Sequence, residues 1–129
     1  MDPIFECKAY TLFADPLGFF ELVVETHHEL DLEDFPDFDA FLEDCGVKSL
    51  KLLINRKNEY STGASLLTPP YPKFRERMAK TAYLVYHKHT TELIAQFTGD
   101  IALRELPHKV FHEREAAIAW LLEDLPPKS

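Results

Sequence analysis

The residues able to do chemistry fall in three short runs. Arg56-Lys57-Asn58 is basic and polar, with Ser61 and Thr62 just beyond it; His87-Lys88-His89-Thr90 is the second run, and His112 is the third. Guanidinium, ammonium, hydroxyl and imidazole all donate hydrogen bonds, so together they suit a carboxylate or phosphate ligand. The His87-x-His89 spacing also places two imidazoles on one face of an extended segment, where zinc would accept them. A third ligand would have to come from elsewhere, with His112 the candidate. His27-His28, beside Glu25 and Glu29, chelates poorly, because neighbours on a strand point to opposite faces. For both histidine clusters the expected role is that of ordinary surface or partly buried side chains, so no metal and no other cofactor is assigned.

Catalytic signatures are missing. The sequence has no G-x-S-x-G elbow, no G-x-x-x-x-G-K-[ST] loop, no G-x-G-x-x-G fingerprint and no H-E-x-x-H helix. With only 4 glycines, a phosphate-cradling glycine loop is disfavoured. A non-enzymatic protein is expected. The net charge of −8, from 22 acidic and 14 basic residues, argues against nucleic acid as a partner. No apolar run reaches membrane-spanning length. Met1-Asp2-Pro3 opens without the basic region of a signal peptide, which predicts a cytoplasmic protein. Cys7 and Cys45 are expected to be reduced core thiols.

These candidates must be positioned by a single domain over residues 1–125, with a Pro-rich tail at 126–129. Hydrophobic residues make up 46% of the 129, and 10 of them are Phe, enough for an aromatic-rich core. Ile4 to Ala14 and Phe19 to Thr26 read as an antiparallel hairpin around the turn Asp15-Pro16-Leu17-Gly18. Phe35, Phe38, Phe41, Leu42 and Cys45 recur at helical spacing, with Asp31 or Asp34 as the cap, Pro36 in the first turn and Gly46 as the stop. Leu50 to Asn55 is a nearly continuous apolar strand. A short helix is expected from Ser61 or Thr62 through Met78, perturbed at Pro69-Pro70. Thr81 to Tyr86 is a second central strand. Another helix opens at Thr90 or Thr91, with a further turn over Ile101 to Leu106. Lys109 to Phe111 is the last strand and Glu113 to Leu122 the last helix, with Ala117, Trp120 and Leu121 inward.

The order β-β-α-β-α-β-α-β-α predicts an α/β fold: a mixed, mostly parallel sheet of about five strands with about four helices, since parallel strands need crossovers. In such sheets ligands bind beyond the carboxyl ends of the strands. Asn55, Tyr86 and Phe111 end three strands there. Arg56, Lys57, Ser61, Thr62, His87, His89 and His112 are therefore the candidate ligand-binding residues, for a small anion or a fatty-acid-like carboxylate. The acidic run from Glu29 to Asp44 reads as a solvated helix face, or as a docking face for a basic partner; the basic cluster Lys73, Arg75, Arg77 and Lys80 could pair with it in a contact between copies, or touch anionic lipid head groups. An open sheet edge would allow a homodimer.

The closing segment, Val110-Phe111 then Glu115-Ala116-Ala117 and Ala119-Trp120-Leu121, resembles the end of the SpoIIAA-like family of STAS-type domains, related to anti-sigma factor antagonists. The element order resembles that family along nearly the whole chain. The resemblance implies a regulatory module that binds a protein partner. Those antagonists carry Asp-Ser-Ser-Gly after the third strand, with its first Ser phosphorylated. Here the place reads Tyr60-Ser61-Thr62-Gly63, which makes Ser61 the implied phosphoacceptor while Tyr60 replaces the Asp.

Overall fold

The computed structural model describes residues 3–86, 96, 98, 100, 103 and 106–123. In chain order the strands are β1 (Pro3–Glu6), β2 (Tyr10–Asp15), β3 (Phe19–Val24), β4 (Glu29–Leu30), β5 (Leu50–Asn55), β6 (Ser61–Thr62), β7 (Met78–Leu84) and β8 (His108–Phe111). Two α-helices are described, α1 (Pro36–Asp44) and α2 (Arg114–Leu122). Six strands form one sheet in the order β1-β2-β3-β5-β7-β8, while β4 and β6 form a separate parallel pair. The β1–β2 and β2–β3 pairs are antiparallel; β3–β5, β5–β7 and β7–β8 are parallel. The fold class expected from the alternation is what the chain adopts.

The expected first strand is divided in two. Cys7, Lys8 and Ala9 turn the chain, with the Cys7 N–H bonded to the Tyr10 carbonyl at 3.0 Å. The next turn is the one the sequence announces. Gly18 has φ 108, a value open to glycine at no steric cost, and its N–H reaches the Asp15 carbonyl at 3.0 Å.

The sheet buries both faces, each with its own apolar set. One face holds Leu12, Leu22, Leu52, Ile54 and Tyr83, covered by Phe38 and Leu42 of α1 and by Leu66 and Leu103 from later connections. The described parts of the three crossovers pack on this side, called here the crossover face. Its centre is aromatic: Phe38 meets Tyr10 at 5.7 Å and Phe74 at 5.3 Å, both edge to face. The opposite face, the helix face, packs Phe19, Leu53, Ala82 and Leu84 against Ala117 and Leu121 of α2. Trp120 lies against Phe111 with ring centroids 5.7 Å apart. The lone Trp thus helps anchor its helix, as the spacing predicts.

Several expectations are corrected. No α-helix runs from Ser61 to Met78. Instead β6 is followed by single 3-10 turns at Ala64–Leu66 and Lys73–Arg77. Pro69, Pro70 and Pro72 lack the amide hydrogens a helix there would need. Cys7 and Cys45 are free but exposed, not core thiols. Cys45 only caps the C-terminus of α1, so its heptad-like spacing overshoots the apolar face. Pro36 does sit at the start of α1, and its residue before, Phe35, is the N-cap; Asp31 instead precedes a 3-10 turn at Leu32–Asp34, its N–H held by the Asp34 carboxylate at 2.8 Å. The start at Thr90 or Thr91 of the expected third helix lies outside the described residues; Gln96, Thr98 and Asp100 are helical. Within the chain, the charges of Lys73 and Arg77 act on the Asp39 carboxylate of the acidic helix. Asp39 of α1 accepts the Phe74 N–H at 2.6 Å, Arg77 donates to the Val47 carbonyl at 2.6 Å, and Lys80 is buried under α2.

Candidate functional site

The four parallel strands end together at Val24, Asn55, Leu84 and Phe111, so the loops that follow share one edge of the sheet. Arg56 leaves β5 on the crossover face, two residues beyond Ile54, and its backbone N–H continues the ladder to the Leu84 carbonyl at 2.9 Å. Its side chain is buried, with 7% of the residue exposed. The guanidinium carbon lies 4.2 Å from the centroid of the Tyr60 ring, and Nη2 donates to the Tyr60 carbonyl at 3.4 Å. Nε has no hydrogen-bond partner among the described residues. A buried, incompletely paired guanidinium is costly, and such groups mark sites that a ligand or a neighbouring side chain completes.

Tyr60 also walls a cavity of about 90 Å³ on the crossover face. Leu22, Leu52, Ile54 and Tyr83 form its floor on the sheet; Phe35, Phe38 and Phe74 close one side. Leu30, Thr62 and Leu66 come from the loops joined by the β4–β6 ladder. Arg75, whose guanidinium stacks on Tyr71 at 4.4 Å, is the cation among the described residues of the wall. No acidic side chain is among the described residues lining it. Burial pushes the Tyr60 hydroxyl up, against the opposing charge of Arg56, and burial pushes the Tyr83 hydroxyl well above the usual phenol range. Both phenols therefore stay protonated near neutrality and remain donors.

Gly63 sets the approach of the two loops. Its N–H bonds to the Leu30 carbonyl at 2.7 Å, and a Cβ there would collide with the Asp31 carboxylate. Ser65 Oγ then accepts the Leu32 N–H at 2.9 Å and donates to Asp31 at 3.3 Å. His28 Nε2 lies 2.9 Å from Asp34 Oδ2, on the same loop.

The other polar cluster is on the helix face. Glu21 is buried, with 7% exposed. Asn55 Nδ2 donates to its Oε2 at 2.9 Å, and Arg114 holds both carboxylate oxygens, one at 3.1 Å. Burial pushes the Glu21 carboxyl up, but the hydrogen bonds from Arg114 and Asn55 and the charges of Arg114 and Lys57 outweigh it, holding the group below the ordinary carboxylate range. This cluster clamps α2 to the sheet.

The sequence candidates separate accordingly. Thr62 lines the cavity and Arg56 lies one ring behind its wall. Ser61 is exposed on β6, beside a shallow depression with His27 and Glu59. Lys57 is exposed near Glu21, and His112 is exposed in the turn between β8 and α2. His87 and His89 lie outside the described residues. Among the described residues no three His, Cys, Asp or Glu side chains converge as a metal site, and no helix is long and apolar enough to cross a membrane. Sequence reasoning missed Tyr83, Glu21 and Arg114, and named Tyr60 and Arg75 only in other roles. For Glu21 a signal existed: a lone acid inside Phe19-Phe20-Glu21-Leu22-Val23-Val24 needs a partner once that strand is buried.

No protein-family model matches the sequence, and no curated protein matches it. Among solved structures the chain is similar to an uncharacterized protein of the DUF3478 family with a SpoIIAA-like fold from Shewanella loihica PV-4. The likeness covers 88% of this chain and 92% of that one, with a TM-score of 0.56 and 15% identity. The fold is SpoIIAA-like, as the closing strand and helix implied.

Proposed function

We propose that this SpoIIAA-like chain is a non-enzymatic binding module whose cavity on the crossover face takes a small amphipathic anion. The observation that supports the reading is the composition of the cavity wall. It is apolar and aromatic, it carries Arg75, and no described residue lining it is acidic, in a chain with net charge −8. Few polar groups on an apolar wall is the common design of ligand sites. Arg56 adds a second positive charge behind Tyr60. Native mass spectrometry of the protein purified from its source tests this. A bound small mass, released on denaturation, is expected. No bound mass, together with no thermal shift in any anionic amphipath, would remove the support.

A second reading is a regulatory module that binds a protein partner, possession of a phosphoacceptor at Ser61 included. It is favoured by the exposure of Ser61 on β6, between two residues that line the cavity. Occupancy of the cavity and the outward surface of β6 would then be read by one segment. Pull-down with wild type and Ser61→Ala tests it; no specific partner and no difference between the two would count against it.

A further inference from the structure

We infer that His108 and Asp100 form a proton-dependent latch that holds Thr98 and Leu103 of the last crossover against the cavity. The inference deepens the proposed reading of the cavity as a binding site and rests on it for its consequence. The His108 ring sits between two acceptors. Nδ1 lies 2.8 Å from the Leu106 carbonyl oxygen, and Nε2 lies 3.1 Å from Asp100 Oδ1. A carbonyl oxygen and an ionised carboxylate both only accept, so each ring nitrogen must bring a proton. A neutral imidazole has one N–H and can serve only one of them; the arrangement is complete only with an imidazolium. Asp100 is the ionised partner: hydrogen bonds from His108 and from Gln96, the latter at 2.9 Å, hold its carboxyl below the ordinary carboxylate range. Thr81, paired with His108 on β7, is neutral. Lys80 beside it turns to the helix face and donates to the Trp120 carbonyl. Lys109 turns to that face too, its Nζ 5.4 Å from the centroid of the Phe111 ring. Among the described residues, Asp100 is thus the charge that faces the imidazole.

The latch closes a short ring of bonds. The Leu106 N–H reaches the Leu103 carbonyl at 2.8 Å, the Leu106 carbonyl accepts from His108 Nδ1, and Nε2 returns to Asp100. The base of the ring is fixed to the sheet, because the Pro107 carbonyl accepts the Thr81 N–H at 3.0 Å. Thr98 and Leu103 stand on either side of Asp100 in the chain; both are buried and both line the cavity. Loss of the imidazolium proton to solvent leaves a ring lone pair facing an acceptor, which repels. It also releases Asp100, whose side chain is 60% exposed, to water. The closed form needs the bound proton and the open form does not. The contribution of the latch is therefore complete in acid and is lost as pH rises through the histidine range, between about pH 5 and 8. Lower pH closes the cavity and higher pH loosens it.

The test is NMR of the full chain at about pH 5.5 and about pH 8, on either side of the ordinary histidine range. Heteronuclear spectra of the imidazoles read the proton on each ring nitrogen. Both His108 nitrogens should be protonated at the lower pH and one at the higher. The protection factor of the Leu106 amide, which removes the base catalysis of exchange, should fall about two- to fivefold at the higher pH, the size of one partly exposed ion pair. Asp100→Ala should give the lower protection at both pH values. His108→Gln should do the same; if it does not fold by circular dichroism, Asp100→Ala, at an exposed position, decides. Fluorescence of anilinonaphthalene sulfonate reads access to the cavity. It should rise with pH in the wild type and be high at both pH values in Asp100→Ala. Loss of imidazolium charge alone would weaken binding of this anion, so the expected rise has the opposite sign. A His108 ring with one proton at the lower pH, or equal Leu106 protection at both, overturns the latch. Changed protection with unchanged fluorescence overturns its control of the cavity. A latch that responds as expected, in a protein with no bound mass and no thermal shift in anionic amphipaths, overturns the cavity as a binding site but not the latch.

Discussion

Arg114→Met should weaken the fold by about 2 kcal/mol, and the loss should depend on pH. Glu21 is buried and Arg114 grips both its oxygens. Breaking a fully buried pair by removing one partner costs about 3–5 kcal/mol. The Arg114 side chain is 41% exposed, so solvent screening brings the cost to about 2–3 kcal/mol. Arg114 is also the first residue of α2, where a positive charge opposes the helix dipole. Removing that opposition returns about 0.5 kcal/mol. In the wild type the Glu21 carboxyl is held below its ordinary range. Its contribution is present above the unfolded value, about 4.3, and is lost as pH falls through the folded one. Without Arg114 burial dominates and the folded value rises above the unfolded one. The penalty is then absent in acid and grows as pH rises through the folded value. Urea unfolding of both proteins at neutral pH and near pH 4.5 measures this. The difference should be largest at neutral pH, about 6–10 °C in Tm if read by heat, and should shrink in acid. Glu21→Gln added to Arg114→Met should recover part of the loss. A single variant within about 0.5 kcal/mol of wild type, or a difference equal at both pH values, refutes the argument.

Two further stability tests follow from the same packing. Lys80 Nζ donates to the Trp120 carbonyl at 2.6 Å and the Glu123 carbonyl at 3.0 Å, closing the C-terminus of α2. Lys80→Met should cost about 1–2 kcal/mol and speed amide exchange in the last turn of α2 more than in its first; uniform exchange would contradict a capping role. Gly63→Ala should cost about 1–3 kcal/mol through overpacking, because its Cβ meets the Asp31 carboxylate and lies 3.0 Å from the Leu30 carbonyl oxygen. Asp31→Ala in the same chain should restore part of this, and no restoration would place the strain elsewhere.

The main strands of the large sheet were legible because they are runs of apolar or β-branched residues bounded by turn residues, whereas the two-residue strands β4 and β6 carry no such run. Leu50 to Asn55 is read from end to end. The region from Ser61 to Met78 was not legible as structure. Its hydrophobic spacing is compatible with a helix, and only the combined effect of Gly63 against Asp31 and of three prolines decides against one. The cavity was legible only in part. Thr62 and the Phe-rich interior were expected, but Tyr60 and Tyr83 read as ordinary strand and loop aromatics. Their role depends on which face of the sheet the crossovers cover, and that is a property of three connections taken together. Glu21 and Arg114 lie 93 residues apart, and local pattern carries no information about such a pair.

The parallel pairing of β4 with β6 has a dynamic consequence. The Ser61 N–H is bonded to the His28 carbonyl at 3.0 Å and the Gly63 N–H to the Leu30 carbonyl at 2.7 Å. Two loops far apart in sequence are thereby laced into one cooperative unit, a foldon of the kind that opens sub-globally. Leu30 on one loop and Tyr60, Thr62 and Leu66 on the other then leave the cavity together or stay together. If the loops open, the pairing predicts that they do so in one two-state step, whose equilibrium constant would scale the apparent affinity of anything that must pass between them.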